Sequence, residues 1–125
     1  MGNSVITLMA RKKLAMARKG DIDLPVVAGI ALGDGAEVNG VVKTPLADDT
    51  SLNNELVRKP YVMCNKLTDT SYRYRIDLEK DELAGKIINE AALYDADGDL
   101  LAIRTFIGKP KDNDMEMAFE FDDIF

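Results

Sequence analysis

The chain has 125 residues, which suits one domain with a single hydrophobic core. Hydrophobic residues make up 46% and charged residues 30%, so a wholly disordered chain is excluded. The formal net charge is −6 and histidine is absent, which excludes catalysis and metal binding that depend on imidazole. An acidic chain is also a poor general binder of nucleic acid, because phosphate contacts require clustered lysine and arginine.

Signals for export or membrane insertion are missing from the sequence. No apolar run approaches the roughly 20 residues that span a bilayer, and the first residues lack the apolar stretch and cleavage site of a signal peptide. The single cysteine, Cys64, cannot form an intrachain disulfide, and we expect it to be a small buried hydrophobe because Val62 and Met63 precede it. We therefore expect a protein of the reducing cytoplasm, with no membrane and no nucleic acid among its partners.

The N-terminal region predicts a helix over about residues 4–19. Asn3 or Ser4 can cap its start and Gly20 can end it. At 100° per residue, one apolar stripe contains Val5, Ile6, Met9, Met16 and Ala17. Lys13 falls inside this stripe, so we expect its stem to lie on the apolar surface while its ammonium reaches water.

Leu8 and Leu14 fall outside the stripe and leave three interpretations of the helix open. In the first interpretation the helix packs on a sheet and some of its hydrophobic residues stay exposed. In the second it contacts its own domain on one side and a partner on the other. In the third interpretation it is a basic amphipathic helix that lies on a membrane. The short polar face and the acidic remainder of the chain make this third interpretation the weakest.

The region from about 26 to 122 is predicted to be rich in strands. Strands are expected at residues 26–32, 60–67, 71–78 and 115–121. In the third of these, Tyr72, Tyr74, Ile76 and Leu78 alternate with charged residues, which indicates one core face and one solvated face. Residues 38–49 are predicted to be a loop, and Thr50 or Ser51 to cap a short turn through Leu56.

A hairpin over residues 85–108 is the strongest local signal. Two apolar arms flank the segment 95–99, in which Asp97-Gly98 favours a tight turn. One helix followed by about six strands predicts an α+β domain over residues 1–125, with an N-terminal helix packed on an antiparallel β-sheet or small β-sandwich.

The acids of this turn resemble the start of a calcium loop but do not complete one. An EF-hand requires glycine at its sixth position and glutamate at its twelfth, where this chain has Leu100 and Phe106. Gly33-Asp34-Gly35 is expected to be a turn, since no Gly-Lys-Ser/Thr or helix-opening glycine follows it. We predict no metal, no cofactor, no catalytic residues and no enzymatic activity.

Three segments stand out together. The first runs from Ile6-Thr7 to Gly33-Asp34-Gly35, and the second contains Pro45, Thr50, Leu52 and residues 54–58 (NELVR). The third is NEAALYDADG, residues 89–98, which is similar to REIGLYDADG. In this order and spacing, over about residues 3–106, they resemble the N-terminal region of phage tail-collar fibre proteins.

The resemblance implies a structural component of a phage or prophage tail. Members of that family usually continue into a fibre shaft, so we expect an attachment domain without the fibre, assembled in the bacterial cytoplasm and located in the virion tail. It further implies a baseplate or tail-fibre attachment role, contacts with other tail or fibre proteins, and a homo-oligomer that is a trimer or a ring. The alternative is a bacterial ligand-binding or protein-binding module with no virion role.

Four residues are the candidate partner contacts. Phe119 and Phe121 can close the sheet as its last strand, which leaves Ile124 and Phe125 to dock onto another subunit. Leu8 and Leu14 are the corresponding candidates on the helix. The basic helix and the acidic C-terminal region of a neighbour can also attract each other by charge.

Overall fold

A computed structural model describes residues 3–125. In chain order its elements are β1 (Asn3–Ile6), α1 (Leu8–Lys19), β2 (Val27–Gly33), β3 (Glu37–Val38), β4 (Val41–Val42), β5 (Glu55–Pro60), β6 (Met63–Thr68), β7 (Ser71–Leu78), β8 (Ile87–Asp95), β9 (Leu100–Pro110) and β10 (Met117–Ile124). Strands dominate and all pairs are antiparallel, so the predicted α+β class is confirmed.

The strands form two main sheets and a small hairpin. The five-stranded sheet has the order β1-β9-β8-β2-β5, and the three-stranded sheet has the order β10-β7-β6. Strands β3 and β4 pair with each other inside the segment that was predicted to be a loop. The central β8–β9 hairpin is confirmed: Asp95 N–H donates to Asp99 O at 3.0 Å, and Gly98 takes the positive φ of +87° that glycine tolerates.

The main core lies between the two sheets. Its buried members are Ile30, Leu32, Ile76, Leu78, Ile88, Ala91, Leu93, Ala102, Phe119 and Phe121. Each large aliphatic or aromatic side chain in such a core contributes about 1.5–3 kcal/mol of hydrophobic stabilisation. Phe119 and Phe121 therefore close the sheet, as predicted, through their pairing with Ile76 and Tyr74 on β7.

A smaller cluster covers the opposite face of the five-stranded sheet. Ala31, Ala92 and Ile103 stand side by side on three neighbouring strands, and Leu52 packs on them from the loop before β5. Helix α1 contacts β9. The loop and the helix thus share the cover of this outer face.

The predicted start of the helix was wrong. The helix begins at Leu8, and Thr7 is its N-cap, accepting the Ala10 N–H at 3.0 Å while its hydroxyl donates to Leu100 O at 2.7 Å. Residues 3–6 instead form β1, because β9 offers an open edge and the β-branched Val5 and Ile6 suit a strand. The predicted end at Gly20 is confirmed, with φ at +93°.

The predicted apolar stripe faces the protein in part: Lys13, which lies inside it, is buried and Met9 and Ala17 are half-buried, whereas Met16 is exposed. Two further local predictions were wrong. Residues 55–60 form the edge strand β5, where a turn through Leu56 was expected. Tyr72 is exposed, next to the exposed residues 61–70, whereas the rest of its predicted core face is buried or half-buried.

Candidate functional site

Glu90 lies in β8, and only 1% of its surface is exposed. Its Oε2 accepts the backbone N–H groups of Gly35 at 2.9 Å and Asn54 at 2.8 Å. Its Oε1 accepts the backbone N–H of Asn53 at 2.8 Å and the Nδ2 of the same residue at 3.0 Å. We name Glu90 with Gly35, Asn53 and Asn54 the Glu90 clasp. Four N–H donors replace water around the carboxylate, which makes burial of its charge tolerable.

Two glycines allow the backbone to come this close. Gly33 pairs with Glu90 across β2 and β8, and a Cβ at Gly33 would stand 2.5 Å from Asn54 O and 2.6 Å from Glu90 Oε2. A Cβ at Gly35 would stand 2.7 Å from Asn54 N. Any side chain at these two positions would push the donors away from the carboxylate.

Asn89 holds the same loop beside the clasp. The register of β8 against β9 shifts between Ile88 and Glu90, and such a bulge redirects a side chain. The Asn89 Oδ1 accepts the Ala36 N–H at 3.0 Å, and its Nδ2 donates to Asp34 O at 3.2 Å. Asn89 and Glu90, which are adjacent on β8, therefore hold residues 34–36 of the turn after β2 by hydrogen bonds.

A small cavity adjoins the clasp. It has a volume of about 80 Å³ and is bordered by Lys43, Pro45, Leu52 and Thr105 as well as Glu90. Pockets for small organic ligands measure about 300–1,000 Å³, so this cavity suits a few waters. Each carboxylate oxygen of Glu90 already accepts two hydrogen bonds from the loops. The Glu90 clasp therefore joins β8 to the loop after β2 and to the loop before β5.

Lys13 forms a second buried polar group at the turn of the β8–β9 hairpin. Only 7% of its surface is exposed, and its Nζ lies 2.7 Å from Asp95 Oδ2, 3.0 Å from Asp97 Oδ2 and 2.6 Å from Asp99 Oδ2. The prediction that its ammonium reaches water was wrong. The reason is that the hairpin turn places three carboxylates over the helix, so the ammonium finds charged partners inside.

Electrostatics fix the protonation state of this lysine. Burial alone lowers the pKa of the Lys13 ammonium, but the hydrogen bonds that it donates to the carboxylates of Asp95, Asp99 and Asp97 more than offset that effect and raise the pKa above its ordinary value of 10.5. The three carboxylates have oxygen atoms within 4.8 Å of one another, a spacing that can hold a metal ion. In this arrangement the cation at their centre is the lysine.

The four candidate partner contacts are all exposed. Leu8 is 41%, Leu14 37%, Ile124 62% and Phe125 74% exposed. Leu8 and Leu14 are six residues apart on α1 and so lie about 120° apart around the helix. Helix α1 contacts β9, whereas β10 contacts β7 and β8. The structure therefore does not bring the four into one patch.

The arm formed by residues 61–70, which include β6, is the longest run of exposed residues in the described chain. Cys64 lies there and is exposed, so its predicted burial was wrong: β6 is an edge strand, and all of residues 61–70 are exposed. Tyr61 stacks edge-on against Tyr74 with ring centroids 5.1 Å apart. Burial is the largest cause that raises the pKa of the Tyr74 phenol to about 12.

An open cleft lies between the segment after α1 and the hairpin turn. Its volume is about 310 Å³, and Ile22, Leu24 and Val26 border it on one side and Asp95 and Asp97 on the other. The sequence gives no signal for this cleft, because residues 21–25 fall between the predicted helix and the predicted strand at residues 26–32.

The sequence pattern around Lys13, and that around Asn89 and Glu90, could have indicated buried polar groups. A lysine inside an apolar helical stripe, as at Lys13, indicates a buried ion pair as readily as an exposed ammonium. Asn89 and Glu90 interrupt an apolar strand, and polar residues at such positions indicate buried hydrogen bonding. The partners of both groups are distant along the chain, and no local pattern names them.

No helix within residues 3–125 is long and apolar enough to cross a membrane. Comparison of the chain with models of known protein families, with curated proteins and with solved structures gives no match.

Proposed function

We propose that this chain is a structural component of a phage or prophage tail. It acts through protein–protein contacts as a baseplate or tail-fibre attachment protein, located in the virion tail after assembly in the bacterial cytoplasm. It has no enzymatic activity, and its partners are other tail or fibre proteins and further copies of itself in a trimer or ring. The resemblance to phage tail-collar fibre proteins is the origin of this proposal.

The Glu90 clasp is the observation that carries the proposal. Gly35 belongs to the first segment of the resemblance, Asn54 to the second and Glu90 to the third. These residues are far apart in the chain, yet they meet at distances of 2.8–2.9 Å. If the three segments that resemble the tail-collar proteins encode one structural unit, they are expected to meet in space. Their contacts around Glu90 therefore support a common fold with the attachment region of those proteins.

The polar groups of the interior also suit a structural role. Within residues 3–125, every buried side-chain nitrogen or oxygen has a hydrogen-bond partner. Catalytic sites commonly hold polar groups that are left for the substrate. The buried charges described above are instead each used to hold the chain to itself.

Charge and apolar exposure support contact between copies. The outer surface of α1 carries Arg11, Lys12, Arg18 and Lys19, and the segment before β10 carries Asp112, Asp114 and Glu116. Ile124 and Phe125 expose apolar surface beyond the last buried pair of β10. A head-to-tail contact between the helix of one copy and the C-terminal end of the next would close a ring if its rotation permits.

The test is quantitative mass spectrometry of gradient-purified tail particles from the strain that carries the gene. We expect this chain in the particles at a fixed copy number well below that of the tube protein. Absence from intact particles would overturn the proposal.

A pair of variants tests the contacts. Ile124→Ser together with Phe125→Ser should reduce incorporation into particles, whereas Val41→Ser, an exposed change on β4, should not. Both chains must give the wild-type unfolding transition. Equal incorporation of both would exclude Ile124 and Phe125 as contacts, and incorporation that is insensitive to salt would exclude charge pairing.

The open cleft favours one second candidate, a bacterial ligand-binding module. Its volume of about 310 Å³ is at the lower limit of small-molecule sites, and its border combines Leu24 and Val26 with Asp95 and Asp97. Asp95 and Asp97 already bind the Lys13 ammonium, so a small apolar ligand is the chemistry that fits. Thermal shift with a panel of small apolar compounds would support this candidate through a stabilisation that Leu24→Ser removes.

A further inference from the structure

We propose that the open edge of β6 pairs with the β6 edge of a second copy. The two strands run antiparallel about a two-fold axis at Asn65, and the two three-stranded sheets become one six-stranded sheet. This contact requires only a second copy, so it does not rest on the proposed tail function.

Among the described strands, β6 is the least protected sheet edge. Proteins guard edges with charges, proline or very short strands. The edge strand β5 carries Arg58, Lys59 and Pro60, and β1 has four residues. The edge strand β10 carries Glu120 and two aspartates. Strand β6 has six residues, MCNKLT, with one charge.

That one charge is also neutralised within the chain. Lys66 Nζ lies 3.2 Å from Asp69 Oδ1. All six side chains of β6 are exposed on both faces, because no layer of the protein covers the arm. The N–H and C=O groups on the open edge of β6 therefore lie beside exposed surface that a second strand can reach.

The order of side chains along β6 matches itself when the strand is reversed about Asn65. In that register Met63 stands opposite Leu67 of the second copy, and this apolar pair occurs twice. The two Asn65 side chains face each other at the axis, where their amides can hydrogen bond. Leu67 has no partner on β7, because the register shifts between Lys66 and Thr68, so it is available to the neighbour.

The exposed area suits a weak dimer. The side chains on and beside the arm are Tyr61, Val62, Met63, Leu67 and Tyr72, and each is 40–63% exposed. At roughly 150–200 Å² for each whole side chain, about 400 Å² per copy is exposed there. With the strand backbone, two copies can bury roughly 1,000 Å² in total, the lower limit of a specific interface. We expect a dimer whose population rises with concentration.

Sedimentation velocity of the full chain, from low micromolar to millimolar concentration, is the first test. We expect the average mass to rise from one copy toward two. Asn65→Glu should hold the chain at one copy, because two carboxylates then meet at the axis. Asn65 pairs with Arg73 on β7, so the glutamate is favourable within each copy. Asn65→Gln is the matched control and should dimerise as the wild type does.

Disulfide trapping tests the register. Residues directly opposite in an antiparallel pair have Cα atoms about 4.5–5.5 Å apart, which a disulfide can bridge. In a Cys64→Ser chain, Asn65→Cys should therefore give a covalent dimer under mild oxidation. Glu37→Cys, an exposed position on β3, is the control and should not. The native Cys64 pair would be diagonal across the axis, about 7–8 Å apart, and should link slowly.

Three results would overturn the proposal. The first is a wild-type chain that remains a single copy at every concentration. The second is a dimer that Asn65→Glu leaves intact. The third is a wild-type Cys64 chain that links faster than the Asn65→Cys chain, which would refute the register about Asn65.

Discussion

Replacing Lys13 with methionine removes the cation from three carboxylates while keeping most of the apolar stem. Asp95 is the critical partner, since its side chain is 2% exposed and its Oδ2 lies 2.7 Å from the ammonium. Loss of one member of a buried ion pair typically costs about 3–5 kcal/mol, because the other charge is left buried.

Two features of the structure reduce this cost. Asp97 and Asp99 are 78% and 41% exposed, so water screens them after the ammonium is gone. The other oxygen of Asp95 still accepts the Asp97 N–H at 3.1 Å and the Asp99 N–H at 3.0 Å. We therefore expect Lys13→Met to lower the free energy of unfolding by about 2–4 kcal/mol.

The assay is urea unfolding at neutral pH, with Lys12→Met as the matched control. Lys12 is the exposed neighbour on the same helix, and we expect its loss to change stability by less than about 0.5 kcal/mol. The pKa of Lys13 is raised in the folded state, so its stabilisation is complete below the ordinary value of 10.5 and is lost only as the pH rises through the raised pKa. The difference between the two variants should thus stay constant from neutral pH to the ordinary lysine pKa. Equal stability of the two variants would refute the buried ion pair.

Three further changes test the interior. Glu90→Gln should cost about 2–4 kcal/mol in urea unfolding, because the amide turns N–H groups toward N–H donors, whereas Glu116→Gln at an exposed position should be neutral. Gly33→Ala should cost a similar amount, about 2–4 kcal/mol, because its Cβ would stand 2.5 Å from Asn54 O; a variant as stable as the wild type would refute that close approach. The Tyr74 phenol should titrate near pH 12 in the folded protein, measured as the ultraviolet absorbance that Tyr74→Phe removes. Its raised pKa means that its contribution to stability is complete below pH 10.0 and is lost as the pH rises toward 12, so a titration near 10 in the folded state would contradict its burial.

Elements with a local cause were predictable. The hairpin turn needs only Asp97-Gly98 between two apolar arms, and the helix ends where Gly20 accepts a positive φ. Strand β7 alternates between apolar and charged residues and matches its predicted bounds of 71–78. In each case the energetic preference belongs to residues that are neighbours in the chain.

The start of the helix was decided by a distant strand. Residues 3–6 can be capped as a helix by local rules, yet they pair with β9 from Ala102 to Thr105. Thr7 then becomes the N-cap because its hydroxyl also reaches Leu100 O. The gain from completing a sheet edge exceeds the small helix propensity of four residues.

Burial of charge was decided in the same way. Lys13 and Asp95 are separated by 82 positions, and Glu90 lies 36 positions from Asn54. A charged side chain is buried only where folding brings it partners that replace water, and the position of those partners is a property of the whole sheet. Cys64 shows the converse: its apolar neighbours indicate a core, but no layer packs on β6, so the residue is exposed. Local preferences thus determined the positions of the hairpin turn, the helix end and the alternating strand. The packing of the sheets determined which charged side chains are buried and which strand edge is open.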